Sequence, residues 1–182
     1  LKKFEEENIK EIIELGAGLG RDTVFFAKNK IKVEALDYSP TAIKIIKKKA
    51  KDNNFSKLVS TKHFDVRNKL PYKDNSIKGI FSHMLYCMAL TNSEVKKLNN
   101  EILRVLKPGG INIYTVRNIY DGDYMKGIHI GEEMYENDGF IINFFSEKKV
   151  NSLLEGFKNS STTNFEEGNF PRKLFLIQNK KL

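Results

Sequence analysis

The sequence predicts an α/β fold: a doubly wound, mostly parallel sheet with helices on both faces. Three observations carry that expectation. Short apolar runs alternate with amphipathic stretches five times between residues 9 and 116, the pattern of repeated strand–helix units. A glycine-rich turn, Gly16-Ala17-Gly18-Leu19-Gly20, lies between the first apolar run and the first long helical pattern. Two strand-like runs near the end, residues 160–165 and 173–178, fit a closing antiparallel hairpin.

In chain order, residues 2–8 form a charged, helical lead-in and residues 9–15 a buried strand. Residues 21–29 read as a helix and 31–36 as a second strand ending at Asp37. Ser39-Pro40-Thr41 has an N-cap residue followed by proline at the first helical position, a helix start. The helix that follows sets Ala42, Ile43, Ile46 and Ala50 against a lysine-rich face. Residues 57–66 predict a third strand ending near Asp65, and residues 77–82 a fourth. Val95, Leu98, Ile102 and Leu106 recur at helical spacing over residues 93–106. Pro108-Gly109-Gly110 stops that helix, and residues 111–116 predict a fifth strand. Residues 118–139 show no periodicity and read as a long functional insert. Residues 140–145 are strand-like, and residues 146–157 predict a helix capped by Ser146. Residues 166–172 read as a structural turn. Neither a repeat nor a linker divides the chain, which predicts one domain over residues 1–182 with a cap-like insert at about 118–145.

Composition bounds the function. The chain has 182 residues, and 31 Lys and Arg against 23 Asp and Glu give a net charge of +8. That moderate excess leaves nucleic acid open as a partner. The lysine-rich helix has no arginine and no interleaved aromatics, so it reads as a solvated face and not as a nucleic-acid surface. A single cysteine rules out an internal disulfide framework and fits a reducing, cytoplasmic setting. No apolar run approaches the roughly 18 residues of a membrane span, and the charged opening Leu1-Lys2-Lys3-Phe4-Glu5 lacks a signal-peptide core. The chain opens on Leu and only residues 1–8 precede the first strand, so an N-terminal lid segment is expected to be missing.

The glycine turn is a cofactor cradle: glycine permits a sharp turn and close backbone approach to a ligand. By itself it suits dinucleotides and S-adenosylmethionine alike. Four blocks together separate them. These are Glu14 to Asp22, then Leu36-Asp37-Tyr38-Ser39-Pro40, then Phe64-Asp65-Val66 with Leu70-Pro71-Tyr72, then Leu103 to Gly110. In order and spacing they closely resemble class I S-adenosylmethionine-dependent methyltransferases, with a looser likeness to the tellurite-resistance methyltransferases. The resemblance covers residues 9–117. It implies a Rossmann-like sandwich with a seven-stranded sheet whose last two strands form a reversed hairpin. It implies that Glu14, Gly16, Ala17 and Gly18 line the methionine end of S-adenosylmethionine and that Asp37 takes the ribose. Tyr38 would lie against the adenine, Asp65 and the Val66 amide would read its edge, and Ser82 and His83 would face the methyl. Gly79 departs from the family, which often has an acidic residue there. No tyrosine is followed by lysine four positions later, so the acid–base pair of short-chain dehydrogenases is absent.

For the acceptor, His83 lies at the end of strand four, either lining the site or shaping its loop. His129 and Tyr135 in the insert could bind a substrate or take its proton, with Tyr124 and Glu132 beside them. Arg117 could clamp an anionic substrate group or bridge the sheet to the insert. His63 reads as structural and Cys87 as an inert buried thiol. The three histidines fall on separate elements, so no metal site is expected. These features imply methyl transfer to a small molecule by in-line displacement. The alternatives are an RNA or protein methyltransferase using the lysine face, or a non-catalytic cofactor-binding partner subunit.

Overall fold

The computed structural model describes residues 1–168 and 171–182. Helix α1 (Lys2–Glu6) leads into strand β1 (Glu11–Leu15), followed by α2 (Arg21–Lys28), β2 (Lys32–Asp37), α3 (Pro40–Asp52) and β3 (Val59–His63). Strand β4 (Ile77–His83), helix α4 (Asn92–Val105) and the long strand β5 (Leu106–Arg117) complete the parallel part. The seven-stranded sheet has the order β3-β2-β1-β4-β5-β10-β9, where β9 (Phe157–Glu167) and β10 (Arg172–Lys181) form the antiparallel edge. That is the expected doubly wound sheet with its reversed hairpin.

Local chemistry sets the elements. The Ser39 hydroxyl accepts the Ala42 amide at 3.3 Å, and Pro40 opens α3. Helix α4 starts one residue earlier than its periodicity predicts, because Thr91 and Glu94 form a reciprocal capping box. Its buried stripe of Val95, Leu98, Ile102 and Val105 packs on one sheet face, and Ile46 of α3 and Phe26 of α2 on the other. Each such side chain contributes about 1.5–3 kcal/mol by leaving water. Gly79 now has a reason: a Cβ there would meet Ile12 at 2.9 Å, Ile9 at 3.0 Å and Phe4 at 3.2 Å.

Four expectations need correction. Residues 118–139 are not wholly irregular: β6 (Ile128–Gly131) and β7 (Met134–Asn137) pair with β8 (Phe140–Asn143) in a separate antiparallel sheet. The predicted helix over 146–157 is only α5 (Glu147–Asn151). Its C-terminal half is diverted because Asn99 Nδ2 donates to the Leu153 carbonyl at 2.9 Å and Gly156 turns at φ 82° against Leu103. Pro108-Gly109-Gly110 ends α4 but belongs to β5, at an irregularity in its pairing with β4. The turn expected at 166–172 is shorter: Glu166, Glu167 and Arg172 are in strands, while Asn169 and Phe170 lie outside the described residues.

Candidate active site

Sheet order reverses between β1 and β4, and the crevice at such a point is where open α/β sheets bind ligands. On one side is the glycine turn. The Gly16 and Ala17 amides donate to the Leu36 carbonyl at 2.9 and 3.0 Å, tying the turn to the end of β2. Gly16, Gly18 and Gly20 all have positive φ, at 68°, 54° and 77°. Their surroundings differ. A Cβ at Gly16 would meet Leu85 Cδ1 at 2.8 Å, and one at Gly20 would meet Ile46 Cγ1 at 2.8 Å. Nothing lies within 4 Å of a Cβ at Gly18. Gly16 and Gly20 are thus small because the fold packs on them, and Gly18 alone faces open space.

Asp37 stands behind that open glycine. One carboxylate oxygen accepts the Gly18 amide at 2.8 Å and the other the Ser39 amide at 2.8 Å. The carboxylate is fixed by main chain, and each oxygen keeps a lone pair for a hydroxyl. Tyr38 beside it is 71% exposed, and His63 Nε2 contacts its carbonyl oxygen at 2.7 Å, a structural use of that histidine. Asp65 is gripped by Arg67 through Nε at 3.0 Å and Nη2 at 2.6 Å, which holds its carboxyl below the usual range. Val66, next to it, is partly buried against the larger core cluster. Glu14 is buried at the root of the turn, where it accepts the Thr23 hydroxyl at 2.5 Å. Burial pushes its carboxyl up to about 8, with the Thr23 bond pulling the other way and Asp22 and Asp37 adding to the rise. At neutral pH it is a neutral acid.

On the other side of the crevice is the end of β4. Ser82 is fully buried, paired in register with Tyr114, so it faces the core and not the crevice. His83 is half-buried, and a left-handed Met84 (φ 53°) follows it. Thr115 of β5 holds this bend: its hydroxyl accepts the Met84 amide at 3.0 Å and contacts His83 Nδ1 at 2.9 Å. His83 Nε2 lies 3.0 Å from Glu167 Oε2, slightly out of hydrogen-bond alignment. The other Glu167 oxygen accepts Arg21 Nη1 at 2.6 Å. Burial lowers the His83 imidazole below its ordinary value, against the opposing pull of Glu167 and Asp22. Burial works to raise the Glu167 carboxyl, and Arg21 and His83 outweigh it.

A sequence profile of a family described as a methyltransferase domain matches residues 12–110, more than half of the chain. The chain belongs to this family. Its methyl donor is S-adenosylmethionine. Among curated proteins, phosphoethanolamine N-methyltransferase 1 of Triticum aestivum is 39% identical over 102 residues, 56% of this chain and 20% of the relative. The chain thus aligns with about a fifth of that relative's length. Among solved structures, a SAM-dependent methyltransferase from Methanosarcina mazei superposes with a TM-score of 0.79 at 21% identity, over 96% of this chain and 93% of the other. The 1,6-didemethyltoxoflavin-N1-methyltransferase of Burkholderia thailandensis, solved with S-adenosylhomocysteine, gives 0.75 at 16% identity, over 98% and 74%.

The residues on this side of the crevice suit that donor: Gly18 leaves an open approach, the Asp37 carboxylate is anchored, and the Tyr38 ring is exposed. The acceptor residues are more dispersed. Arg117 is buried and turned away, with Nε on Asp121 Oδ2 at 3.1 Å and Nη2 on both Asp121 Oδ1 and Asp123 Oδ2. Of its two readings the structure shows the bridge from sheet to insert, and a guanidinium already spent on two carboxylates is not a substrate clamp. His129 and Tyr135 are opposite each other in the small sheet with ring centroids 5.0 Å apart, and Tyr124 and Phe144 join them. His129 Nε2 also contacts the Glu132 carbonyl at 2.8 Å. Among the described residues neither His129 nor Tyr135 bonds to His83. Burial pushes the Cys87 thiol up to about 11, which fits an inert cysteine. Sequence reasoning missed Thr115 and Glu167: the Arg21–Glu167 contact spans 146 positions, and nothing local marks it.

Proposed function

We propose that this methyltransferase acts on a small-molecule acceptor that reaches the crevice past His83. The observation that carries the reading is the pairing, across one crevice, of the open Gly18 backed by Asp37 with the held imidazole of His83. When bound, S-adenosylmethionine supplies a sulfonium-activated methyl group. The chain's part is to align donor and nucleophile and to exclude water. Gly16, Ala17 and Gly18 would carry the methionine end with Glu14 beneath them. Asp37 would hold the ribose hydroxyls, and Tyr38, Asp65 and Val66 would surround the adenine. Ser82 supports the sheet end from the core side. His83 is the group placed to take a proton from the acceptor, and the His129–Tyr135 face of the small sheet would shape the acceptor's outer end.

The relatives named as phosphoethanolamine N-methyltransferases favour an amine nitrogen as nucleophile. The lysine face gives no comparable support to an RNA acceptor. Lys48 is engaged by Asp52, and Lys49 Nζ donates to the Leu19 carbonyl at 2.8 Å. The test is calorimetry with S-adenosylhomocysteine on wild type and Asp37→Ala, then a labelled-methyl screen over amines, phosphoethanolamine first, and over O- and S-nucleophiles. Binding lost in Asp37→Ala and turnover of a small molecule support the reading. No binding by either protein sinks it.

A further inference from the structure

The Glu167–His83–Thr115 contacts point beyond a lone histidine. Glu167 is on β9 at the far edge of the sheet, and its carboxylate reaches back over the N-terminal end of β10 and the C-terminal end of β5 to the end of β4. Arg21, the first residue of α2 directly after the glycine turn, fixes the other oxygen and is itself held by Asp22. The hairpin therefore joins both walls of the crevice. We propose that Glu167 and Thr115 are positioning residues for His83, fixing its ring and its tautomer at the methyl-facing end of β4. The inference rests on the reading of this crevice as the methyl-transfer site.

The chemistry follows from the donors and acceptors. Ionised Glu167 only accepts, so it selects the tautomer with its proton on Nε2. Nδ1 then accepts the Thr115 hydroxyl, which still accepts the Met84 amide through its own oxygen. A second proton enters the ring at Nδ1 by way of Thr115: its hydroxyl passes its own proton to Nδ1 and takes the acceptor's in exchange, while the Glu167 carboxylate 3.0 Å from Nε2 offsets the imidazolium charge. Either protonation state keeps the same two neighbours, Thr115 at Nδ1 and Glu167 at Nε2, and needs only a small change of alignment at Nε2, which suits a proton acceptor on a fixed support. The charged groups facing His83 are Glu167, Asp22 and Arg21.

The test is nitrogen NMR of the whole chain labelled at histidine, with the three resonances assigned by His83→Gln. Wild type should show His83 as the Nε2–H tautomer. Glu167→Gln should keep the tautomer, because the amide oxygen still accepts, and move the titration midpoint down. Thr115→Val should keep the Nε2–H tautomer, which Glu167 selects, but shift the Nδ1 resonance through loss of its hydrogen bond, and Thr115→Ser should restore that resonance. On an acceptor amine from the screen, Glu167→Gln should lower kcat by up to about a hundredfold with KM little changed. An Nδ1–H tautomer in wild type, or a midpoint indifferent to Glu167→Gln, overturns the proposal. S-Adenosylhomocysteine calorimetry on the same samples separates the failures. Binding with an indifferent His83 overturns only the positioning role; no binding with a responsive His83 overturns the cofactor reading and leaves the hold on His83 standing.

Discussion

The glycine turn and the insert are the two halves of the candidate site, and they differ in how far side chains hold them. The turn is tied through its own amides, Gly16 and Ala17 on the Leu36 carbonyl and Gly18 on the Asp37 carboxylate, which the Ser39 amide also holds. The insert has main-chain ties too, the Asn143 amide on the Cys87 carbonyl and the Phe145 amide on the Arg117 carbonyl, and adds a side-chain scaffold. Arg117 grips Asp121 and Asp123, and the Asn143 amide group donates to the Leu90 carbonyl. Lys149 reaches Glu133 and the Phe144 carbonyl, and lies 4.4 Å over the Phe145 ring. Main-chain geometry tolerates many sequences as long as the turn forms, which suits a donor site shared across a family. A side-chain scaffold changes with each substitution, which suits an acceptor site that must differ between members.

The largest expected effect tests the insert half. Arg117→Ala would leave Asp121 buried beside Asp123 without its counter-ion, at a cost of about 3–5 kcal/mol. Urea unfolding should show that loss. Replacing Asp121 by Asn in the same background should recover part of it, since the stranded charge and not the lost contact dominates. If the single variant costs under about 1 kcal/mol, the insert is not held as described.

The glycine half should break more selectively. Gly16→Ala meets both a left-handed φ, about 1–2 kcal/mol, and Leu85 Cδ1 at 2.8 Å, about 1–3 kcal/mol more. Gly18→Ala meets the φ cost alone. Both should weaken S-adenosylhomocysteine binding, but only Gly16→Ala should also lower the unfolding midpoint strongly. Equal stability losses would mean that the turn is not packed as the contacts imply.

The same division explains what was legible in the sequence. Strand and helix order, the caps at Ser39 and Ser146, the glycine turn and the Asp37 terminus are local patterns, and each is in the structure. Of the small sheet only the strand-like run at 140–145 was legible; β6 and β7 escaped because they are four residues long and β6 is exposed throughout, so alternation has nothing to record. One signal was present: Asp138-Gly139 is a dipeptide of tight hairpin turns, and it makes the turn between Asn137 and Phe140 with φ of 50° and 81°. Thr115 and Glu167 had none, since what places them is pairing across four strands, β4, β5, β10 and β9.

Glu14 gives a smaller, pH-dependent effect within the glycine half. Its folded value of about 8 exceeds its ordinary 4.5, so the folded state holds a proton that the unfolded chain releases. Stability is then highest below about pH 4.5 and falls as pH rises towards 8. Glu14→Gln keeps the shape, cannot ionise, and should remove that slope, becoming increasingly more stable relative to wild type as pH rises towards 8. Thermal unfolding across pH 5–9 measures it. Parallel wild-type and variant curves would mean that Glu14 is ionised in the fold.

The smallest effect decides what the lysine-rich face of α3 is for. Lys48 and Lys49 are neighbours in sequence, yet Lys48 only pairs with Asp52 one turn along the helix while Lys49 reaches the Leu19 carbonyl within the glycine turn. An exposed pair one helical turn apart contributes about 0.3–0.5 kcal/mol, and a bond from a cation to a carbonyl that orders a turn about 1 kcal/mol. Lys49→Met should therefore cost more than Lys48→Met in urea unfolding and weaken S-adenosylhomocysteine severalfold, with Lys48→Met leaving that affinity unchanged. A nucleic-acid surface predicts the opposite arrangement: the two lysines would be interchangeable, and both variants would lower salt-sensitive RNA binding without touching the cofactor. The carbonyl of Leu19 lies between the open Gly18 and the packed Gly20, so support at that point acts on the one stretch of the turn that a ligand must approach.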